Sequence, residues 1–430
     1  MFITIPSSAT AQTTIPLREL PPAEKLSPEK FQNVFAVRQI GDGKVLVNDG
    51  VRMRLSMLDA ELKLSSIVLD SASTATAKYG NRATPIIAYL GDSTFFPDFD
   101  SRVLLVIDPH GKIARSVALP YTNHLSQLWI SASGVDGNGN LVLRPNPPTK
   151  PKNSAPDPST GYTTVVNNTP DSAAIVRDNF DTRKVDTIAR VQYPSGMRNE
   201  IVRNGDGDMV KSHATVIPLQ NQDVWAMLSD GTLAVVRSHD YHVDLRRTDG
   251  TWQSGEKLPF DWKLLTQAEK QRLVDSTRRM IDTQVQEVEN RDGKKAARYK
   301  KTRIIQTMAS ATLGIPLPPE ATKAQIEAFA DYEIVLDVVI ASQLPDYYPA
   351  LSLGAANADA DGNLWILPAT SSNGNDGRLV YDVIDNNAKF VTRVRLPAQR
   401  SIAGFGKNGI VYLRYREPDG QWRVERTRWR

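Results

Sequence analysis

Six times along the chain a turn residue opens a short run of mostly apolar and β-branched residues. The runs are Gly43-Lys-Val-Leu-Val, Ser101-Arg-Val-Leu-Leu-Val, Gly139-Asn-Leu-Val-Leu, Gly231-Thr-Leu-Ala-Val-Val, Gly362-Asn-Leu-Trp-Ile-Leu and Gly409-Ile-Val-Tyr-Leu. Each is followed by a second, polar turn: Asp59-Ala-Glu-Leu, Pro109-His-Gly-Lys, Asp181-Thr-Arg-Lys, Asp249-Gly-Thr-Trp, Asp385-Asn-Asn-Ala-Lys-Phe and Asp419-Gly-Gln-Trp. Asp-Gly and Asn-Gly turns supply the positive φ that tight hairpins require, and the runs between them suit pleated, half-buried strands. A chain of antiparallel hairpins exposes sheet edges unless the sheets repeat around an axis, so the alternation predicts an all-β fold, a six-bladed β-propeller. The propeller is expected over residues 31–430. Residues 1–30 are read as an N-terminal export remnant and closing segment, with one blade taking strands from both ends of the chain.

The chain has 430 residues, which leaves about 70 per blade, more than the roughly 40–50 that a blade needs. Two insertions account for the surplus. Residues 144–170 are rich in Pro, Asn, Ser and Thr and read as a long exposed loop between two strands of one blade. Residues 262–329, between the fourth and fifth blades, carry helical rather than strand periodicity: Leu264, Leu265, Ala268, Val274, Ile281, Val285 and Val288 recur at helical spacing. Thr266 and Glu269 form a Thr-x-x-Glu capping box, which predicts a helix from Thr266 to about Asn290. Arg291-Asp292-Gly293 ends it, and Pro316-Leu-Pro-Pro separates the basic stretch that follows from a short helix at Lys323–Phe329.

The composition, 40% hydrophobic and 23% charged, suits a folded chain, and the net charge of +4 does not demand a nucleic acid. The absence of cysteine excludes disulfides, thiolate metal sites and a cysteine nucleophile. No apolar run approaches the roughly 18 residues of a spanning helix. Ala9-Thr10-Ala11 has the small-x-small form of a signal-peptidase site, so the mature chain is expected to begin near Gln12 and to occupy the periplasm or the extracytoplasmic face of a bacterial membrane.

The segments Asp223-Val-Trp-Ala-Met-Leu-Ser-Asp-Gly-Thr-Leu-Ala-Val-Val-Arg, Asp240-Tyr-His-Val, Asp346-Tyr-Tyr-Pro and Ala358-Asp-Ala-Asp-Gly-Asn-Leu-Trp-Ile resemble bacterial six-bladed propellers of the TolB-like and NHL-like kind, from about Phe31 to the C-terminus. Such a resemblance implies architecture and says little of activity. That broad group includes lactonases and lyases, peptidoglycan- or protein-binding modules, and extrinsic subunits of membrane assemblies, one kind of which sits on a photosynthetic reaction-centre and antenna complex.

Chemistry-bearing residues are sparse. Of five histidines, His239 and His242 fall on opposite faces of one expected strand and His110 in a turn, whereas His124 and His213 lie between repeats, where they could face the central channel. Asp136–Asn140, Asn204–Asp208 and Asp359–Asn363 resemble calcium loops, but loop position 12 is Pro147, Thr215 and Thr370, not an acid. Nucleotide-binding, serine-hydrolase and zinc-protease motifs do not occur. The irregular features lie in the insertions. Val274, Ile281 and Val288 form one apolar line, and Lys294, Lys295, Arg298, Lys300, Lys301 and Arg303 belong to a basic stretch that reads as an electrostatic dock or as a solvated turn. These nine residues are the expected partner-binding surface. Tyr299 alone supplies an aromatic there, which argues against nucleic acid. A second basic cluster, Arg414, Arg416, Arg423, Arg426, Arg428 and Arg430, is expected to decorate a sheet face.

The expected function is therefore that of a non-catalytic exported scaffold, without cofactor or metal. Its expected partner is a protein, a membrane complex, with peripheral contact to an anionic membrane surface. From the resemblance, the specific form is an extrinsic subunit of a reaction-centre and light-harvesting assembly. The alternative is a lactonase- or lyase-like enzyme with a metal in the axial channel.

Overall fold

A computed structural model describes residues 16–430 apart from 73–77, 81, 129–131, 147–149, 169, 194–195, 314–319, 330 and 372–375. The proposed cleavage site and the Pro316 break lie outside the described residues.

The strands form seven sheets. Six follow one pattern, in which successive antiparallel strands run from an inner first strand outward. The first holds Ala36–Gln39, Val45–Asp49, Arg54–Leu58 and Leu64–Asp70, and the second Ile87–Ala88, Thr94–Asp98, Val103–Ile107 and Ile113–Val117. The third holds Ser133–Val135, Leu141–Leu143, Ser172–Asp178 and Val185–Gln192, and the fourth Val224–Met227, Leu233–Arg237, His242–Arg246 and Trp252–Ser254. The fifth runs from Leu351–Ala358 through Leu364–Pro368 and Val380–Ile384 to Phe390–Arg395, and the sixth from Arg400–Phe405 through Ile410–Arg416 to Trp422–Arg428.

Apolar layers lie between consecutive sheets. Leu46, Tyr79 and Phe96 join the first sheet to the second, Leu104 and Leu141 the second to the third, and Val142 and Val235 the third to the fourth. Tyr241 and Ile384 join fourth to fifth, Trp365 and Leu413 fifth to sixth, and Val47 and Tyr412 sixth back to first. The architecture is that of an all-β propeller.

The chain ends meet through the N-terminal segment. Lys25–Leu26 pairs antiparallel with Trp422–Arg428 as the outermost strand of the sixth sheet, while Leu17–Glu19 adds a parallel strand to Phe390–Arg395 of the fifth. The segment thus straps two sheets together, and Leu20 is buried in the layer between them.

Two turn assignments shift. In the second sheet the turn from first to second strand is Leu90–Asp92, and Ser101 lies one hairpin further on. In the sixth, Asp419 joins second to third strand, because the third-to-fourth connection is replaced by the two chain ends.

The seventh sheet has the order Lys150–Asn153, Thr163–Asn168, Met197–Arg203, Met209–Val216 and Glu333–Val338. Residues 144–170, expected as a loop, therefore contain a hairpin. Its last pairing, Met209–Val216 with Glu333–Val338, is parallel. The α-helices in chain order are α1 (Asn123–Gln127), α2 (Gln267–Asp292), α3 (Lys294–Leu313) and α4 (Lys323–Glu327). Thr266 and Glu269 close the capping box of α2, and Gly293, at φ 86°, ends it. Lys and Ala favour continuation, so the basic stretch is helical rather than a turn. Helices α2 and α3 share a separate apolar cluster with the seventh sheet, in which Val274, Ile281, Val285 and Ile304 meet Val216 and Val338. Buried Lys270 pins α2 through the Leu344 carbonyl (3.1 Å) and the Asp346 carboxylate (2.8 Å).

Two substitutions probe the seams. A Cβ on Gly404 would lie 1.8 Å from the Val37 carbonyl oxygen, so Gly404→Ala should wedge the sixth sheet from the first and cost about 1–3 kcal/mol as overpacking. Leu20→Ala should cost about 2–5 kcal/mol by opening a cavity under the strap. Denaturant midpoints check both, and an unchanged midpoint for Leu20→Ala would mean that the strap is not docked in solution.

Candidate functional site

The first strands of the six consecutive sheets line one axial cavity of about 1220 Å³. A strand with one face toward an axis presents every second side chain to it, so the lining is set by alternation within those short strands and by the turns after them.

Of the acids on this lining, Asp92 pairs with Lys407 (3.1 Å), and Asp136 and Asp359 are committed to the backbone of their own turns. Asp136 Oδ1 accepts the amides of Asn138 (3.0 Å) and Asn140 (2.9 Å), and Asp359 Oδ1 those of Asp361 (3.0 Å) and Asn363 (2.8 Å). Asp359 Oδ2 also accepts from Asn363 Nδ2 and Trp365 Nε1. The third calcium-like loop does the same, with Asn204 Oδ1 accepting from Asp206 and Asp208. Asp, Asn and Gly are there to build hairpin turns, and their spacing serves the backbone. Asp223 accepts from Gln192, Arg237 and Ser238. Among the described residues no three His, Asp or Glu side chains converge on a point that could hold a metal ion.

The two histidines that could have faced the channel lie elsewhere. His124, on α1, is buried against Asp178 (Nδ1 to Oδ2 2.9 Å). His213, in the seventh sheet, sits 3.0 Å from Asp337. Neither is on the cavity lining.

Arginines occupy the lining instead. Burial lowers the Arg38 pKa to about 10, and its guanidinium donates to the Asp92 carbonyl and to Thr94 Oγ1. Arg414 donates to Ser401 Oγ (2.8 Å) and the Val34 carbonyl (3.0 Å), and burial pulls its pKa down. It faces the cavity, so that member of the C-terminal basic cluster does not decorate an outer face. Arg144 is 2% exposed and lies over the Tyr193 ring, 3.6 Å from its centroid. Neither Arg144 nor Arg414 has a carboxylate partner among the described residues. The available signal for Arg144 was a charge directly after the apolar run Leu141–Leu143, where the sequence reading began a loop.

The expected partner-binding residues divide. Val274 and Ile281 are buried at 2% and 3% in the cluster with the seventh sheet, so they are spent within the chain, which corrects their assignment to a partner. Val288 is half-buried on α2. Arg298 pairs with Asp331, Lys295 donates to the Glu327 carbonyl and Lys301 to the Ile334 carbonyl. Lys294 is exposed, and Lys300 and Arg303 are half-buried. A cleft of about 460 Å³ between α2, α3 and residues 331–334 brings Lys294, Arg298 and Lys301 together with Glu289, Asp331 and Glu333. The surface is of mixed charge rather than uniformly basic.

No family model matches the chain, and no curated protein matches it. Solved structures of similar shape include a catalytically inactive virginiamycin B lyase from Staphylococcus aureus with quinupristin, at 10% identity and TM-score 0.37, covering 94% of this chain and 99% of that one. A gluconolactonase from Xanthomonas campestris gives 9% identity and TM-score 0.35, over 95% and 99%. The calcium-binding protein regucalcin from Agrobacterium tumefaciens gives 9% and 0.29, over 97% and 98%. Likeness this low leaves the propeller assignment resting on the strand order above.

Asp359→Ala removes the acceptor for four donors in one buried turn, and should cost about 2–4 kcal/mol. Calcium at millimolar concentration should leave the melting temperature of the wild-type chain unchanged. A calcium-dependent rise abolished by Asp359→Ala would convert that turn into an ion site.

Proposed function

We propose that the chain is a six-bladed propeller that acts by binding rather than by catalysis, a scaffold whose seventh sheet and helices dock a protein partner. One observation carries this reading: residues 150–168, 197–216, 267–313 and 333–338, separate in sequence, assemble one sheet-and-helix unit with its own apolar core. The sheets around the axis need none of it, since each already finds its apolar layer in its neighbours. Ordering that much chain costs about 1–2 kcal/mol per residue before contacts offset it, which favours a use outside folding.

The partner in this reading is a membrane protein complex, met at the periplasmic or extracytoplasmic face. The described residues contain no helix long and apolar enough to cross a membrane. A reaction-centre and antenna assembly is its narrowest form, supported by the resemblance alone. The metal-dependent lactonase or lyase alternative is disfavoured by the donor set, because among the described residues no three His, Asp or Glu side chains converge, and Asp136, Asp359, Asp223 and Asp92 on the lining are already engaged by their turns or by neighbouring side chains.

Charge reversal tests the docking without touching the packed face. Lys294 and Lys300 have no ion-pair partner among the described residues, so Lys294→Glu with Lys300→Glu should leave the melting temperature within about 2 °C of wild type. Sedimentation with native membranes should fall at least about tenfold and lose its salt dependence. Undiminished sedimentation by the folded variant would remove α3 from the interface.

A further inference from the structure

We propose that the axial cavity binds an amphipathic ligand bearing one oxyanion group, a carboxylate or a phosphate, and that Arg144 anchors that group. The site goes beyond the docking surface and stands on different residues. A guanidinium is almost never fully buried without a partner, because removing its charge from water must be compensated by acceptors. Arg144 is 2% exposed, yet Nη1 and Nη2 have no hydrogen-bond partner among the described residues. Arg144 is one of the residues that line the cavity.

The geometry favours a planar, two-oxygen acceptor. The guanidinium is held over the Tyr193 ring, 3.6 Å from its centroid, and its two terminal nitrogens, without a hydrogen-bond partner among the described residues, form the fork that carboxylate and phosphate fill with paired hydrogen bonds. No carboxylate pairs with it among the described residues: on the lining, Asp136 and Asp359 are held by their own turns, Asp223 by Arg237 and Ser238, and Asp92 by Lys407. Arg414 adds a second cation on the same lining with no carboxylate beside it. Burial depresses the Arg144 pKa, an effect that a bound anion would oppose. The rest of the ligand meets apolar surface. Leu90 and Leu353, both on the lining, are 46% and 49% exposed, unusual for leucines inside a fold. A volume of about 1220 Å³ accommodates a body well beyond the oxyanion itself.

The test titrates the full chain with decanoate, decyl phosphate and decanol, by calorimetry and by thermal denaturation. At least one of the two anions should bind saturably and at least about tenfold tighter than decanol. Whichever anion binds more tightly names the source, a carboxylic acid or a phosphate ester. Arg144→Gln should lose at least about tenfold in anion affinity while its unliganded melting temperature equals or exceeds that of wild type, since it removes a buried charge that has no carboxylate partner among the described residues. Arg144→Lys, which keeps the charge and loses the fork, should also weaken anion binding about tenfold, and it decides the matter if Arg144→Gln does not fold. Decanol binding as tightly as both anions, or unchanged anion affinity in either folded variant, would overturn the proposal. So would an unliganded Arg144→Gln that melts well below wild type while retaining anion binding.

Discussion

The apolar layer shared by neighbouring sheets is the contact on which the rest of the molecule depends. None of the six axial sheets has a core of its own; each lends one face to the sheet before it and the other to the sheet after it. Such an arrangement is stable only when the last layer is made. That layer joins strands near the start of the chain, Ala36–Gln39 and Val45–Asp49, to strands at its end. At this seam the Val37 carbonyl approaches Gly404 so closely that only a residue without Cβ fits. The N-terminal strap fastens the adjoining seam, with Leu17–Glu19 on the fifth sheet, Leu20 beneath it and Lys25–Leu26 on the sixth. Covering two edges with one segment leaves fewer unpaired backbone groups for unwanted strand addition.

The seventh sheet obeys a different rule. Its parallel pair, Met209–Val216 with Glu333–Val338, is separated in sequence by the whole fourth sheet and by α2, α3 and α4. Parallel pairing needs a long crossover, and here the crossover is itself a sheet of the propeller. The unit is consequently tied to the fold at several points along the chain and cannot be a tethered, independent module. Helix α2 spends its apolar line inside this unit, so any partner meets the outer faces of α2 and α3, where the charges are.

What was legible in the sequence follows from how local each determinant is. The Asp-Gly and Asn-Gly hairpins were visible because a turn needs its own residues and nothing distant. The capping box at Thr266 and Glu269 marked the start of α2 for the same reason. The strands of the seventh sheet were not visible: Met197–Arg203 and Met209–Val216 are rich in polar and charged residues, and their pairing is settled by partners far away in the chain. In the second and sixth sheets the repeat could be counted but not phased, because a hairpin turn does not state which two strands of a blade it joins. The basic stretch after Gly293 was ambiguous because a single glycine separates two helices without ending helical propensity.

The candidate site was the least legible part, and the reason is electrostatic. Sequence motifs for catalysis or metal binding are patterns of acids and histidines, but here Asp136 and Asp359 on the lining serve their own turns, and His124 and His213 are paired away from the cavity. The informative feature is a mismatch between charge and surroundings, which exists only once burial is known. Arg144 follows the strand Leu141–Leu143 and Tyr193 follows Val185–Gln192, so both stand where the third sheet hands the chain to the seventh. The stacked pair therefore belongs at once to the cavity wall and to the root of the sheet that carries the helices. A charge held at that junction with Tyr193 beside it, but with no hydrogen-bond partner for its terminal nitrogens among the described residues, is a cost to folding, which in the proposed reading the oxyanion of a bound ligand offsets.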